Sequence, residues 1–338
     1  MHQMTGDRMG EIKSRSTTRR RLTILLCSAG RRVELLIAFR RAAGHLGVDL
    51  QIIACDLQPE WSAACRFADK SFRVPRADDP DYVPAIEAIC RDHGVGLVVP
   101  TIDPELQPLA DARARFAGLG AWISVSDPEL VAICRDKLLT ASFLNEHGVP
   151  VPRTLAWEDM DPKTWIGPAI IKPRGGSAGR SILKIDDMDE LPVSVPEPMI
   201  VQELLRGEEW TVNLYFDDRG ILQSVVPHHR VQVRAGEVEK GVTGRPSILL
   251  DMAEKLAAAL PGARGALCYQ AIITPDGSAK LFEINARFGG GYPLAESAGA
   301  SFAQWLIEAR MGMPSSAGNS WTEGVMMLRY DAAIFVSP

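Results

Sequence analysis

The sequence predicts two architectures in series: an open, largely parallel α/β domain, then an α+β region built from antiparallel meanders. Three observations carry this expectation. Between residues 22 and 125, short apolar runs alternate with stretches of helical period; after residue 150, seven β-rich runs follow with only two helical stretches; and 338 residues exceed what one hydrophobic core usually organises. The composition, 46% hydrophobic and 23% charged, is that of an ordinary globular protein. A net charge of -5 on so long a chain gives no argument for nucleic acid as a partner.

Residues 1–21, MHQMTGDRMGEIKSRSTTRRR, are polar and lack apolar periodicity, so a disordered tail or an expression remnant is expected there. An organelle transit peptide is the sharper alternative, weakened by Asp7 and Glu11. The LTILLCSA that follows is too short for a signal segment, and no window approaches a membrane span. Cysteines 27, 55, 65, 90, 134 and 268 form no C-x-x-C pair, which suits free thiols in a reducing compartment. A cytoplasmic protein with no membrane partner is the expectation.

Residues 22–125 form the first domain. LTILLCS, LQIIACD, VGLVVPT and AWISVS read as buried strands, separated by the helical RVELLIAFRRAAGHL, YVPAIEAICRDHG and PELQPLADARARF. Open sheets of this kind bind ligands beyond the carboxyl ends of their strands. There the chain places Ser28-Ala29-Gly30-Arg31-Arg32, Cys55-Asp56 and Thr101-Ile102-Asp103-Pro104-Glu105. Because SAGRR lacks G-x-G-x-x-G, a nicotinamide oxidoreductase is disfavoured, and Asp56 is read either as a turn or cap residue or as a ligand contact.

The chain changes character at DPELVAICRDKLLTASFLNEHGVPVPRT, two helical runs ended by Gly148 and two prolines. Residues 126–195 then carry the strands PAIIKP and SILKI. Residues 196–338 carry MIVQEL, WTVNLYF, ILQSVVPHHR, ALCYQAIIT and KLFEINA with the helices SILLDMAEKLAAAL and SFAQWLIEARMG, the latter either a core or an interface helix. Met326-Met327 in GVMMLRY is read as strand core.

Several stretches carry chemistry. In LFEINARFGGG, alternation along a strand puts Glu283, Asn285 and Arg287 on one face, with Phe282, Ile284 and Ala286 toward a core. Two oxygen donors beside a cation suit a divalent metal with an anion near it. IIKPRGGSAGRS offers Lys172 and glycines at 175, 176 and 179: a backbone cradle for phosphate, or a flexible hairpin with a surface lysine. The Walker spacing is absent. VQELLRGEEWTVNLYF is either a solvated hairpin or a hinge whose backbone and carboxylates hold a base and a ribose. In VVPHHRVQVRAGEVEKGVT, the adjacent His228 and His229 point to opposite faces of a strand, which disfavours a shared metal.

In order, CRDK (134–137), IIKP with its glycine loop, VQE then GEE, Gln270 in ALCYQAIIT and E-x-N-x-R resemble the ATP-grasp superfamily, in its carbamoyl-phosphate-synthetase-like branch. The resemblance covers about 22–330, and SAGRRVELL, IIACD and PTIDPEL are similar to short, stand-alone ATP-grasp ligases. It implies a pre-ATP-grasp α/β domain followed by an ATP-grasp fold of two α+β lobes, a small lobe (126–195) with the glycine-rich loop and a large lobe (196–338) with the metal and catalytic strand. It implies ATP bound through Lys137, Lys172, Gly175, Gly176, Ser177 and Gly179. Glu203 with the backbone of Leu204 and Leu205 would hold adenine, and Glu209, or its neighbour Glu208, the ribose. Magnesium or manganese would sit on Gln270, Glu283 and Asn285, with Arg287 facing the transferring phosphoryl group and Arg230 or Lys240 reaching the acceptor or γ-phosphate.

The implied reaction is ATP-dependent ligation of a carboxylate and an amine through an acyl phosphate, with ADP and phosphate released. The partners are small molecules, amino acids among the candidates, and a homodimer is a possible assembly. Arg31, Asp103 and Glu105 would help select substrate, an acidic residue suiting an ammonium group. Bicarbonate phosphorylation and a non-catalytic ATP-binding module are the alternatives. The first is disfavoured by a single grasp unit and no glutaminase region, the second by the joint presence of Lys137, Lys172, Glu283, Asn285 and Arg287.

Overall fold

A computed structural model describes residues 20–176, 182–260 and 262–336. The amino-terminal sheet is all parallel, from β1 (Arg21–Leu26), β2 (Asp49–Asp56), β3 (Lys70–Arg73), β4 (Leu97–Val99) and β5 (Trp122–Ile123), in the order β3-β2-β1-β4-β5. The short β3 carries no long apolar run and escapes sequence reading. Helices α1 (Val33–Leu46), α2 (Ala63–Phe67), α3 (Tyr82–His93), α4 (Asp103–Asp111) and α5 (Arg113–Gly118) cover both faces. Alternate side chains divide between two cores: Leu25, Ile53 and Val98 meet Tyr82, Ile86 and Leu109, while Ile24, Ile52 and Leu97 meet Leu36 and Phe39. The order of strands reverses direction between β1 and β4, so the ends of these two strands open the crevice where such sheets bind ligands.

Helices α6 (Pro128–Arg135) and α7 (Lys137–Glu146) lead to a four-stranded antiparallel sheet, order β6-β9-β7-β8, of β6 (Thr154–Ala156), β7 (Ala169–Pro173), β8 (Leu183–Ile185) and β9 (Met199–Glu203). Its small separate core gathers Trp165, Ala169, Ile171, Met199 and Val201. The expected lobe boundary at 195 leaves out β9, which pairs with both β6 and β7; the small lobe therefore runs through Glu203.

The six-stranded sheet, order β14-β13-β10-β11-β12-β15, comprises β10 (Glu208–Phe216), β11 (Leu222–Arg234), β12 (Glu237–Thr243), β13 (Gly265–Ile273), β14 (Ala279–Asn285) and β15 (Met326–Leu328). The β11–β12 hairpin turns on Ala235 and Gly236, both at positive φ (50° and 79°), as a tight two-residue hairpin requires. In β10, Val212, Leu214 and Phe216 share a core with Leu249, Met252 and Leu256 of α8 (Ser247–Ala259), leaving Glu209, Thr211 and Asn213 for the opposite face. Helices α9 (Tyr292–Ser297) and α10 (Phe302–Met311) complete the lobe. Phe302, Trp305 and Leu306 pack into the core that includes α1 and the parallel sheet, so α10 is a core helix joining the large lobe to the first domain. Met326 and Leu328 are 70% and 65% exposed: GVMMLRY forms an edge strand rather than strand core. Among the described residues, no helix is long and apolar enough to cross a membrane.

Candidate functional site

Register assembles the site. Gln270 stands opposite Glu283, Thr211 opposite both Gln270 and His228, and Asn213 opposite Cys268, which in turn faces Asn285. Polar side chains from four adjacent strands thus line one face. The pairing of β13 with β14 slips after Gln270, leaving Phe282 as an extra residue. Leu281, Ile284 and Ala286 are buried as core, but Phe282 is not: its ring lies 5.4 Å from the Lys172 ammonium. The bulge corrects the simple alternation expected for this strand, which sent Phe282 inward. Nothing in the letters LFEIN signals it.

Lys172, on β7, faces this strand from the small lobe and is only 6% exposed. Burial drives its pKa down to about 8; Glu283 opposes the shift and Lys137 reinforces it. Lys137 opens α7, where Asp136 caps the helix by accepting from the Leu138 and Leu139 N–H groups. The same Asp136 accepts from Arg174 Nε at 2.7 Å. Lys137 donates from its backbone to Arg174 O (3.0 Å) and from Nζ to Gly176 O (2.7 Å), tying CRDK to the start of the glycine loop. Gly175 and Gly176 are exposed, Gly176 with φ 83°. Ser177 and Gly179, expected to cradle phosphate, lie outside the described residues. One cleft is lined by Asp103 from the first domain, Lys137 and Gly176 from the small lobe, and Glu283 and Asn285 from the large lobe.

Other expected contacts are already partnered. Arg287 makes a two-pronged ion pair with Asp103, Nε to Oδ1 at 3.0 Å and Nη2 to Oδ2 at 2.6 Å, and donates to Asn285 Oδ1 and Phe288 O. Burial disfavours its charge, but Asp103 outweighs this and holds the guanidinium more firmly protonated than usual. Glu203 receives Lys280 Nζ at 2.7 and 2.9 Å and the Arg153 N–H at 3.2 Å. Leu204 spends its N–H on Pro168 O, so only its carbonyl side is open to a base; Leu205 follows it out of β9. Glu209 pairs with Arg230 Nε at 3.1 Å on the site face, while exposed Glu208 accepts from the Trp210 indole on the other, so of the two carboxylates only Glu209 shares a face with Thr211 and Asn213.

Arg230 also reaches Thr211 Oγ1 and Gly236 O, and Lys240 is exposed on β12. Asp56 holds the N–H groups of Gly30 and Gln58, the turn role of its two readings. Glu105, expected to help select substrate, is fully buried and accepts from Ser28 Oγ, Tyr82 Oη and the Thr101 and Ile102 N–H groups. It shapes the β1 and β4 loops and does not line the cleft that holds Asp103. Arg31 is exposed at the same rim, whereas its neighbour Arg32, which the sequence did not single out, meets Glu237 at 3.4 Å; Arg329 meets the same carboxylate at 2.9 Å.

The three glycines of LFEINARFGGG serve close approach of protein side chains. A Cβ at 289 would lie 2.9 Å from Cys268 Sγ, at 290 2.7 Å from the Glu237 carboxyl carbon, and at 291 2.5 Å from His228 Nε2. His228 is fully buried; Asn213 Nδ2 donates to its Nδ1 at 3.2 Å, which leaves the second ring nitrogen protonated. Burial and the nearby Arg230, Arg329 and His229 hold its pKa down to about 3, so it is neutral. Its neighbour His229 points away and stacks on Trp210. The described residues contain no group of three His, Cys, Asp or Glu side chains able to hold a metal; the oxygen set Gln270, Glu283 and Asn285 has a single carboxylate.

A parallel α/β domain, a small lobe bearing a lysine and a glycine loop, and a large antiparallel lobe bearing E-x-N-x-R define a two-lobed phosphate-gripping protein. The chain belongs to the ATP-grasp superfamily: residues 24–137 match the family described as PylC-like, N-terminal domain, and residues 134–291 the family described as ATP-grasp domain. Among solved structures it is similar to N5-carboxyaminoimidazole ribonucleotide synthetase from Thermotoga maritima, with 19% identity, 90% of this chain and 78% of that one covered, and a TM-score of 0.63. It is similar to biotin carboxylase from Campylobacter jejuni (15%, 89% and 73%, TM-score 0.70). L-amino acid ligase from Bacillus licheniformis is a third (18%, 88% and 76%, TM-score 0.66). At these identities the likeness is one of fold. A search of curated protein sequences gives no match.

Proposed function

We propose that the protein is an ATP-dependent carboxylate–amine ligase, forming an amide or peptide bond through an acyl phosphate and releasing ADP and phosphate. The observation that carries this reading is the single cleft shared by Asp103, Lys137, Gly176, Glu283 and Asn285, which joins the loop side of the small lobe to the E-x-N-x-R strand. Lys137 and Lys172 supply cationic contacts for the phosphates, with the glycine loop from Gly175 closing over them. Glu203 and the backbone at Leu204 and Leu205 take the base once Lys280 shares its carboxylate, and Glu209 the ribose.

Gln270, Glu283 and Asn285 offer only oxygen donors, which fits magnesium or manganese; one carboxylate leaves most of the charge to be balanced by phosphate, so the ion would bind with the nucleotide. Bound there, it would offset charge on the phosphoryl oxygens. Phosphoryl transfer needs positioning and charge stabilisation more than a protein nucleophile, and Lys172 and Arg287 supply both. A carboxylate substrate attacks the γ-phosphorus and ADP leaves; an amine then attacks the acyl phosphate carbon and expels phosphate, while the closed loop excludes water. Arg230 and Lys240 are the reserve cations for the acceptor carboxylate. Six buried free cysteines suit a reducing compartment such as the cytoplasm.

Incubation with MgATP and a panel of amino acids, with bicarbonate as a separate arm, tests the reading. Acceptor-dependent ADP with a new amide supports it; AMP with pyrophosphate sinks the acyl-phosphate route, and ADP formed with bicarbonate alone favours carboxyl phosphate chemistry. Tight ATP binding without turnover favours the module. Arg287→Met is expected to cut turnover roughly a thousandfold with ATP affinity little changed, whereas Glu283→Gln weakens metal-dependent nucleotide binding, both read by ADP release and calorimetry.

A further inference from the structure

We infer that Asp103 is the positioning residue for Arg287, and that through it the amino-terminal domain sets the aim of the cation serving phosphoryl transfer. This rests on the ligase reading above and assigns Asp103 a task other than holding an ammonium group.

The geometry is specific. Both Asp103 oxygens accept from Arg287, at 3.0 and 2.6 Å, and the two side chains are 15% and 11% exposed. Asn285 takes another Nη2 hydrogen and Phe288 O an Nη1 hydrogen. Of the five N–H bonds on a guanidinium, four are committed, which leaves one on Nη1 among the described residues. An arginine so held has one orientation, and the fork that holds it comes from another domain.

Asp103 is itself anchored. It is the first residue of α4, where a carboxylate is favoured by the helix field. The turn before it is clamped by fully buried Glu105, which accepts from the Thr101 and Ile102 N–H groups and is braced by Ser28 and Tyr82. Ser28 carries a positive φ of 45°, and Thr101 Oγ1 donates to its carbonyl at 2.8 Å. A continuous set of bonds therefore runs from the β1 and β4 loops through Asp103 to Arg287 and Asn285. In an open sheet the crevice between these strands ordinarily receives a ligand; here it receives the arginine of the catalytic strand.

A double-mutant cycle tests the inference. ADP release from MgATP is measured with mixed L-amino acids plus bicarbonate, and MgADP affinity by calorimetry, for wild type, Asp103→Asn, Arg287→Met and the double variant. Asp103→Asn is expected to lower kcat about 10- to 100-fold, as lost support of a site residue does, with MgADP affinity unchanged. In the Arg287→Met background it should cost nothing further. Equal losses in both backgrounds overturn the inference and leave Asp103 acting on substrate directly.

The 1H–15N signal of Arg287 Nε, assigned by its absence in Arg287→Met, gives a readout independent of turnover. It should be sharp in wild type and broadened or shifted in Asp103→Asn. An unchanged signal overturns the inference even if kcat falls. Asp103→Glu, which keeps the charge on a longer arm, is expected to recover part of the loss and sharpen the signal again. Failure of wild type to bind MgADP would remove the ligase reading and this inference together, while binding with a lost cycle removes the inference alone.

Discussion

The two sides of the cleft solve the charge problem differently. Facing the large lobe, the residues expected to meet nucleotide or substrate already have protein partners: Glu203, at the end of the small lobe's β9, with Lys280 of β14, Glu209 with Arg230, and Arg287 with Asp103 of the first domain. On the small-lobe side, Lys172 is buried against a phenyl ring and the described residues pair no carboxylate with it, while Lys137 rests on a backbone oxygen. A buried cation offset only by the field of Glu283 is costly, and an arriving polyphosphate would lower that cost. On the proposed reading the small lobe would be a standing anion site. The large-lobe side would have to exchange partners to engage a ligand, which lends itself to selectivity.

Removing Lys172 breaks the contrast most directly. Lys172→Met is expected to weaken MgADP binding roughly tenfold to a hundredfold, the worth of about 1.5–3 kcal/mol for charge-assisted hydrogen bonds. It should also raise the melting temperature of the free protein, because a buried charge gives way to an apolar side chain. Calorimetry and thermal unfolding read the two effects. A variant that loses affinity and stability together would show that Lys172 has a structural counter-charge.

The two glycine clusters differ as the two lobes do. A Cβ at Gly291 would press on His228, a rigid buried ring, whereas one at Gly175 meets nothing within 4 Å among the described residues. Gly291→Ala is expected to cost about 1–3 kcal/mol of unfolding free energy, the range for overpacking, and Gly175→Ala less than about 0.5 kcal/mol. Urea denaturation of both separates a packing role at GGG from a position at Gly175 that carries none.

Much of this was legible in the residues. E-x-N put Glu283 and Asn285 on one face, because a strand has a period of two wherever its register holds. What escaped reading depends on register shifts and on pairs distant in sequence. The bulge at Phe282 changes which side chain lies under Lys172. Asp103 and Arg287 are 184 residues apart, so neither reveals the other as its partner. Glu105 sits two residues from Asp103 on a helix start, and its burial depends on Tyr82 and Ser28 meeting it from other elements. The space beside the GGG run is filled by Cys268, Glu237 and His228, side chains from other strands that the run itself does not announce.

Proton linkage gives a smaller effect that sharpens the same contrast. Lys172 has a free-state pKa of about 8, lowered by burial, and an adjacent triphosphate moves it back up. Binding therefore selects the protonated form. Below pH 8 this group adds no pH dependence; above it, affinity falls toward tenfold per unit, so MgADP should bind roughly tenfold more weakly at pH 9 than at pH 7. Calorimetry in buffers of different ionisation enthalpy should show proton uptake near pH 8–9, and Lys172→Arg should abolish it.

The smallest expected effect falls on the pair that joins the two lobes. The Lys280–Glu203 pair is about one-third exposed on each side, so its ion-pair energy is discounted for solvent, and Lys280→Met should shift stability by less than about 1 kcal/mol. Its effect on nucleotide decides between two uses of Glu203. If the carboxylate must leave Lys280 to meet the base, removing the lysine lowers the cost of that exchange, and MgADP affinity stays level or rises a few-fold. If Lys280 holds Glu203 in the binding geometry, affinity falls instead while MgADP still binds to the small-lobe lysines. A rise would fit a large lobe that exchanges partners, and a fall would move Lys280 from competitor to support.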